Sequence, residues 1–177
     1  DQLRNVCKTT MYADDTVITI SDKTIDTLKL HADTALARTK IYCNNNELAL
    51  NENKTVQINY TTRNKDVNLT LSGIQAEPST KYLGVTVDEK LSWQQHIKTL
   101  CKKLCSGIYV LRRIMYISDL HASKTAYYSL FESHLRYGIV VWGGTSNANL
   151  EKALIQQKKG NKMPGRDQGA RQLSRSL

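Results

Sequence analysis

From Ser92 onward the apolar residues of the chain change period. Ile97, Leu100, Cys101, Leu104, Ile108, Leu111 and Met115 fall at helical spacing, tracing one stripe over about six turns. A stripe that long must be covered by other apolar surface, so the chain beyond about residue 89 has to fold as packed helices. A second helix is expected over 123–137, carrying Tyr127, Leu130, Phe131 and Leu135 on one face, and a third from near Asn147.

Upstream the pattern is mixed. Residues 9–21, TTMYADDTVITIS, set β-branched and apolar residues on both sides of Ala13, Asp14 and Asp15, which reads as a β-hairpin with those three in the bend. A tight bend can bring two successive carboxylates toward one point, as a hard divalent cation requires. The same pair is also ordinary turn chemistry, because Asp bonds its own backbone and tolerates unusual dihedrals. Ser21 and Asp22 then offer N-cap oxygens to a helix with Ile25, Leu28, Ala32, Ala35, Leu36, Thr39 and Tyr42 on one face, ending near Asn44, Asn45 and Asn46. Val56, Ile58 and Tyr60 alternate, as do Val67, Leu69 and Leu71, and two paired strands are the economical reading. After Pro78, KYLGVTVD supplies a further strand whose Gly84 marks a close backbone approach.

The fold class is therefore α+β: a mixed part over 1–89, a helical part over 90–159, and a basic tail over 160–177 that is expected to be disordered. A length of 177 residues with 40% hydrophobic residues is enough for a real core. The net charge of +9 suggests a polyanionic partner. Six basic residues against Asp167 between Lys158 and Leu177 hold +5 of it, leaving +4 for the body. No apolar run is long enough to cross a bilayer and no signal pattern opens the chain. With four sparse cysteines read as reduced thiols, the expectation is an intracellular protein of nucleus or cytoplasm, neither secreted nor membrane-bound.

Four separated strings resemble one family, the reverse transcriptases of non-LTR (LINE-type) retrotransposons. YADD at 12–15 is similar to their polymerase motif C, and LALNENKT at 48–55 to the motif D segment one helix later. KYLGVTVDEKLSWQQHI at 81–97 resembles the Tyr-Leu-Gly primer-grip strand and its continuation, and YYSLFESHLRYGIVVWG at 127–143 the helix and Tyr-Gly-x-x-x-Trp-Gly block downstream. The four occur in the family's order. The resemblance implies the end of a polymerase palm (β-hairpin, helix, antiparallel strands) followed by a helical thumb and connection.

By motif position the resemblance makes Asp14 and Asp15 carboxylates that help hold two Mg²⁺ ions, puts Tyr12 near the template-primer, and makes Lys54 the lysine that protonates pyrophosphate. Tyr82, Leu83 and Gly84 would hold the primer strand. Lys98, Lys102 and Lys103, with Arg112 and Arg113, form a basic flank that would meet the backbone of an RNA template and DNA primer. Deoxynucleoside triphosphates would be the substrates. Each role competes with a plainer one: a solvated lysine for Lys54, core packing for Leu83, a solvated face for the basic flank.

The chain departs from the family at its start, since the first metal-ligating aspartate, motif B and the fingers would lie upstream of Asp1. Two carboxylates alone cannot cage two hard ions, so the isolated chain is expected to bind Mg²⁺ weakly and not to polymerise, as a fragment of the parent enzyme. A non-catalytic nucleic-acid-binding module and a degenerate relic are the alternatives. Cys101 and Cys105 fall one helical turn apart, but no second pair makes a metal site with them, and they read as buried small residues. His96 and His134 read as helix residues.

Overall fold

The computed structural model describes residues 7–60, 69–71 and 73–161. They form two compact units, Asp1–Thr80 and Lys81–Leu177. Among the described residues no helix is long and apolar enough to cross a membrane. The expected strand over 67–71 falls partly outside the described residues, and all of the tail beyond Asn161 does.

In the first unit, strands β1 (Lys8–Tyr12) and β2 (Asp15–Thr19) form an antiparallel hairpin in the register Lys8↔Thr19 to Tyr12↔Asp15. Helix α1 (Ile25–Asn45) follows. Its cap is Thr24, not Ser21 or Asp22: Thr24 has extended backbone and its Oγ1 accepts the Thr27 N–H at 3.3 Å. Asp22 is taken up elsewhere, accepting the Lys23 N–H at 2.7 Å and pairing with His31 Nδ1 at 2.8 Å. The middle of the expected apolar face is covered, with Ala32 and Ala35 buried, whereas Ile25 and Tyr42 at its ends are exposed.

After a 3₁₀ turn at Glu52–Lys54, β3 (Val56–Gln57) pairs with β4 (Gln75–Ala76) in parallel. The expected pairing of 56–60 with 67–71 lies partly outside the described residues. The described end of that second segment is tied by side chains: the Gln57 amide donates to Leu69 O at 2.7 Å and accepts the Leu71 N–H at 3.0 Å, and Asn59 Nδ2 donates to Leu69 O at 2.8 Å. An amide side chain carries both a donor and an acceptor, so Gln57 binds an extended segment as a peptide group would.

KYLGVTVD is a hairpin and not one strand. Strand β5 (Ser79–Tyr82) and β6 (Val85–Asp88) form a two-stranded sheet across the turn Leu83–Gly84, both of whose residues have positive φ, 44° and 80°. That is the pattern of a type I′ turn, whose twist suits the flanking strands. Helix α2 (Gln94–Ile117) carries the long stripe: Ile97, Leu100, Leu104, Ile108 and Leu111 are buried. Its N-terminal residue Trp93 is left-handed (φ 61°) and provides no cap; the Asp88 carboxylate accepts the Ser92 and Trp93 N–H groups instead, each at 2.9 Å.

The expected second helix is interrupted. Helix α3 (Leu120–Tyr127) and α4 (Ser133–Arg136) are joined by a π-helical turn at Tyr128–Glu132, followed by α5 (Ile139–Trp142) and α6 (Asn147–Asn161). Tyr127, Phe131, Leu135 and Trp142 complete the core against the α2 stripe. Each large side chain buried there stabilises the unit by roughly 1.5–3 kcal/mol. Gly107 of α2 lets the π turn come close: a Cβ there would stand 2.7 Å from Leu130 O.

Candidate nucleic-acid interface

The first unit holds the acidic residues singled out by the sequence. Because the ladder pairs Tyr12 with Asp15, the bend is only Ala13 and Asp14, and Asp15 opens β2. The expected three-residue bend is shortened because a two-residue primed turn matches the twist of the strands it joins. Ala13 takes φ 52°, the sign such turns require at their first central position, where glycine is favoured. Asp14 at the tip, Asp15 beside it and Tyr12 across from it are all exposed. Lys54 closes the 3₁₀ turn, its N–H donated to Asn51 Oδ1 at 3.2 Å. Among the described residues no ion pair joins Lys54 to either aspartate.

Two exposed carboxylates on one tip are hard oxygen donors of the kind Mg²⁺ takes together with water and substrate phosphates. They fit part of a magnesium site. Among the described residues no group of three or more His, Cys, Asp or Glu converges on one point. Burial, with Cys105 beside it, pushes the Cys101 thiol up. Cys105 Sγ lies 3.2 Å from Gln156 Oε1.

The second unit holds the remaining residues. Tyr82 ends β5, Leu83 and Gly84 make the turn, and Lys98, Lys102 and Lys103 are exposed on α2. Between Gln94 and Ile117 there is no Asp or Glu, so Lys98, Lys102, Lys103, Arg112 and Arg113 meet no acid on their own helix. The Arg113 guanidinium lies 5.8 Å from the centre of the Tyr109 ring, and Tyr109 is itself exposed. A surface of cations with an aromatic among them can meet phosphate and the face of a base.

Sequence reasoning assigned no role to Tyr137. The structure sets its hydroxyl on the Leu83 carbonyl at 2.6 Å, and its ring so close to Gly84 that a Cβ there would stand 3.3 Å from Cε1. The expected close approach at Gly84 is thus to this ring. Two of the family-like strings, Tyr-Leu-Gly and Tyr-Gly-x-x-x-Trp-Gly, meet at that contact.

Two curated proteins of Drosophila melanogaster are similar to the chain. One is the probable RNA-directed DNA polymerase from transposon BS, 24% identical over 162 residues, and the other is the RNA-directed DNA polymerase from mobile element jockey, 25% identical over 154 residues. The chain is related to reverse transcriptases of transposons. Each match covers 84% of this chain and 17% of the relative's length, so the chain spans about a sixth of the polymerases it matches. No family model matches the chain. No solved structure matches it.

Proposed function

We propose that residues 1–177 serve in a non-LTR retrotransposon reverse transcriptase as the end of the palm and the helical thumb and connection after it. The observation that carries this reading is the placement of Asp14 and Asp15 on one exposed hairpin tip, in a chain related along 84% of its length to two RNA-directed DNA polymerases. On this reading Asp14 and Asp15 offer carboxylate oxygens to Mg²⁺, with further ligands from other parts of the enzyme and from the nucleotide. Bound there, Mg²⁺ supplies Lewis-acid stabilisation of phosphoryl charge and a more acidic primer hydroxyl. Tyr12, across the ladder from Asp15, offers a ring and hydroxyl to the template-primer. Lys54 is the proton donor to departing pyrophosphate. Tyr82, Leu83 and Gly84 touch the primer strand, and Lys98, Lys102 and Lys103 hold the backbone without choosing sequence.

The test is primer extension on an RNA template in Mg²⁺ by a polymerase assembled around this segment. Either Asp14→Asn or Asp15→Asn nearly abolishes extension. Wild-type rates in both variants would sink the assignment.

A second reading rests on the absence of acids on α2: the chain is a nucleic-acid-binding module without catalysis. It predicts duplex binding that weakens steeply with salt, and no extension in any assembled context.

A further inference from the structure

The turn at Leu83–Gly84 is strained and held. A leucine at φ 44° occupies a region that side chains with a Cβ disfavour by about 1–2 kcal/mol, and such conformations persist where their surroundings over-determine them. Beside the β5–β6 pairing, those surroundings include Tyr137. Tyr137 donates its hydroxyl to Leu83 O at 2.6 Å and lays its ring against Gly84.

Tyr137 is fixed in turn. Trp142, which is fully buried, donates Nε1–H to Tyr137 O at 2.9 Å. The next residue, Gly138, takes φ 64°, and a Cβ on it would stand 3.1 Å from Val85 Cγ2, so the chain after Tyr137 lies against the first residue of β6. The hydrogen bonds run from the buried indole to Tyr137 and from Tyr137 to the turn.

We infer that Tyr137 is a positioning residue for primer contact: it locks the Leu83–Gly84 turn in the conformation that meets the primer strand, and Trp142 holds Tyr137 for that task. The inference rests on the proposed contact between Tyr82, Leu83, Gly84 and the primer. It gives the Tyr-Gly-x-x-x-Trp-Gly block a function, with Tyr137 as the brace, Gly138 as the close approach and Trp142 as the anchor.

The experiment compares binding of the 177-residue chain to a primer–template with a recessed 3′ end and to a blunt duplex of the same length, for wild type and Tyr137→Phe. Wild type prefers the recessed end. Tyr137→Phe, which removes only the hydroxyl of a half-exposed side chain, lowers that preference by about two- to tenfold, the span of one hydrogen bond. Its affinity for the blunt duplex and its salt dependence stay as in wild type, and amide exchange at Gly84 and Val85 speeds up while the thermal midpoint holds. A merely structural tyrosine would instead lower the midpoint and affect both duplexes alike, which overturns the inference. Undiminished preference in Tyr137→Phe overturns it too and leaves the primer contact standing. No preference in wild type overturns the primer contact itself, and the inference with it.

Discussion

The ring nitrogen Nδ1 of His96, buried near the start of α2, accepts the backbone N–H of Thr86 in β6 at 3.3 Å. That bond ties the β5–β6 hairpin to the helix, and it requires a neutral ring with an unprotonated Nδ1. Nε2 is buried with no hydrogen-bond partner, and the Trp142 ring lies 5.9 Å away. Burial first, and then the charge of Lys103, hold the His96 pKa below its ordinary value of 6.5. As pH falls through 6.5 the unfolded chain takes up a proton that the folded chain resists, so stability is full above that value and declines below it. Thermal midpoints measured from about pH 7.5 to about pH 5 should fall for wild type and flatten in His96→Gln. An identical slope in both would remove His96 as the cause.

Gly107 is an exception to helix chemistry with a visible reason. In the middle of α2 glycine is about 1 kcal/mol less favourable than alanine, yet the Leu130 carbonyl of the π-helical turn sits where a Cβ would go, at 2.7 Å. Backbone cannot yield as a side chain can. Gly107→Ala should therefore destabilise the chain by about 1–3 kcal/mol despite its better propensity, as read by urea denaturation. A stabilised variant would mean that the two segments do not approach so closely.

At the N-terminus of α2 the Asp88 carboxylate accepts three backbone N–H groups, from Lys90, Ser92 and Trp93. No side chain at Trp93 replaces it. Asp88→Ala leaves these donors without an acceptor and should destabilise the chain by about 1–2 kcal/mol, with the loss appearing as fraying at the start of α2 in amide exchange.

The difference between what the sequence discloses and what it hides follows from range. The α2 stripe is legible because five of its buried residues, Ile97 to Leu111, repeat with the helix's own period. The β1–β2 hairpin is legible because its strand residues flank turn formers directly. The β5–β6 hairpin is hidden because Leu83, an ordinary strand residue, occupies a left-handed turn position and takes a hydrogen bond from Tyr137, 54 residues away. The entry to α2 is hidden for a different reason, since Asp88 accepts the N–H groups of Ser92 and Trp93 just before the helix and no side chain at Trp93 caps it. Strands β3 and β4 pair over two residues each, too few for alternation to reveal direction. Of the candidate site, the aspartate tip was readable locally, whereas the Tyr137 brace exists only after folding.

Ala13 stores strain at that tip. Its φ of 52° suits glycine, and a residue with a Cβ there is disfavoured by about 1–2 kcal/mol. Ala13→Gly relieves the strain but frees the unfolded chain, so the net gain should be about 0.5–1 kcal/mol, read as slower amide exchange across β1 and β2. If Ala13 instead holds Asp14 and Asp15 in a geometry that metal binding needs, the stabilised variant should extend primers more slowly in an assembled polymerase.

The exposed cations of α2 offer a test that needs no catalysis. Each phosphate neutralised by a lysine releases counterion and adds about −0.9 to the slope of log affinity against log salt on duplex DNA. With no acid on the helix to divert them, Lys98, Lys102 and Lys103 should each contribute such a contact. Single substitution to alanine should reduce the magnitude of the slope by about 1 and weaken binding equally for every duplex sequence. If the α2 variants keep the wild-type slope, the phosphate-binding face lies elsewhere and the proposed thumb contact is lost, whatever the hairpin aspartates do.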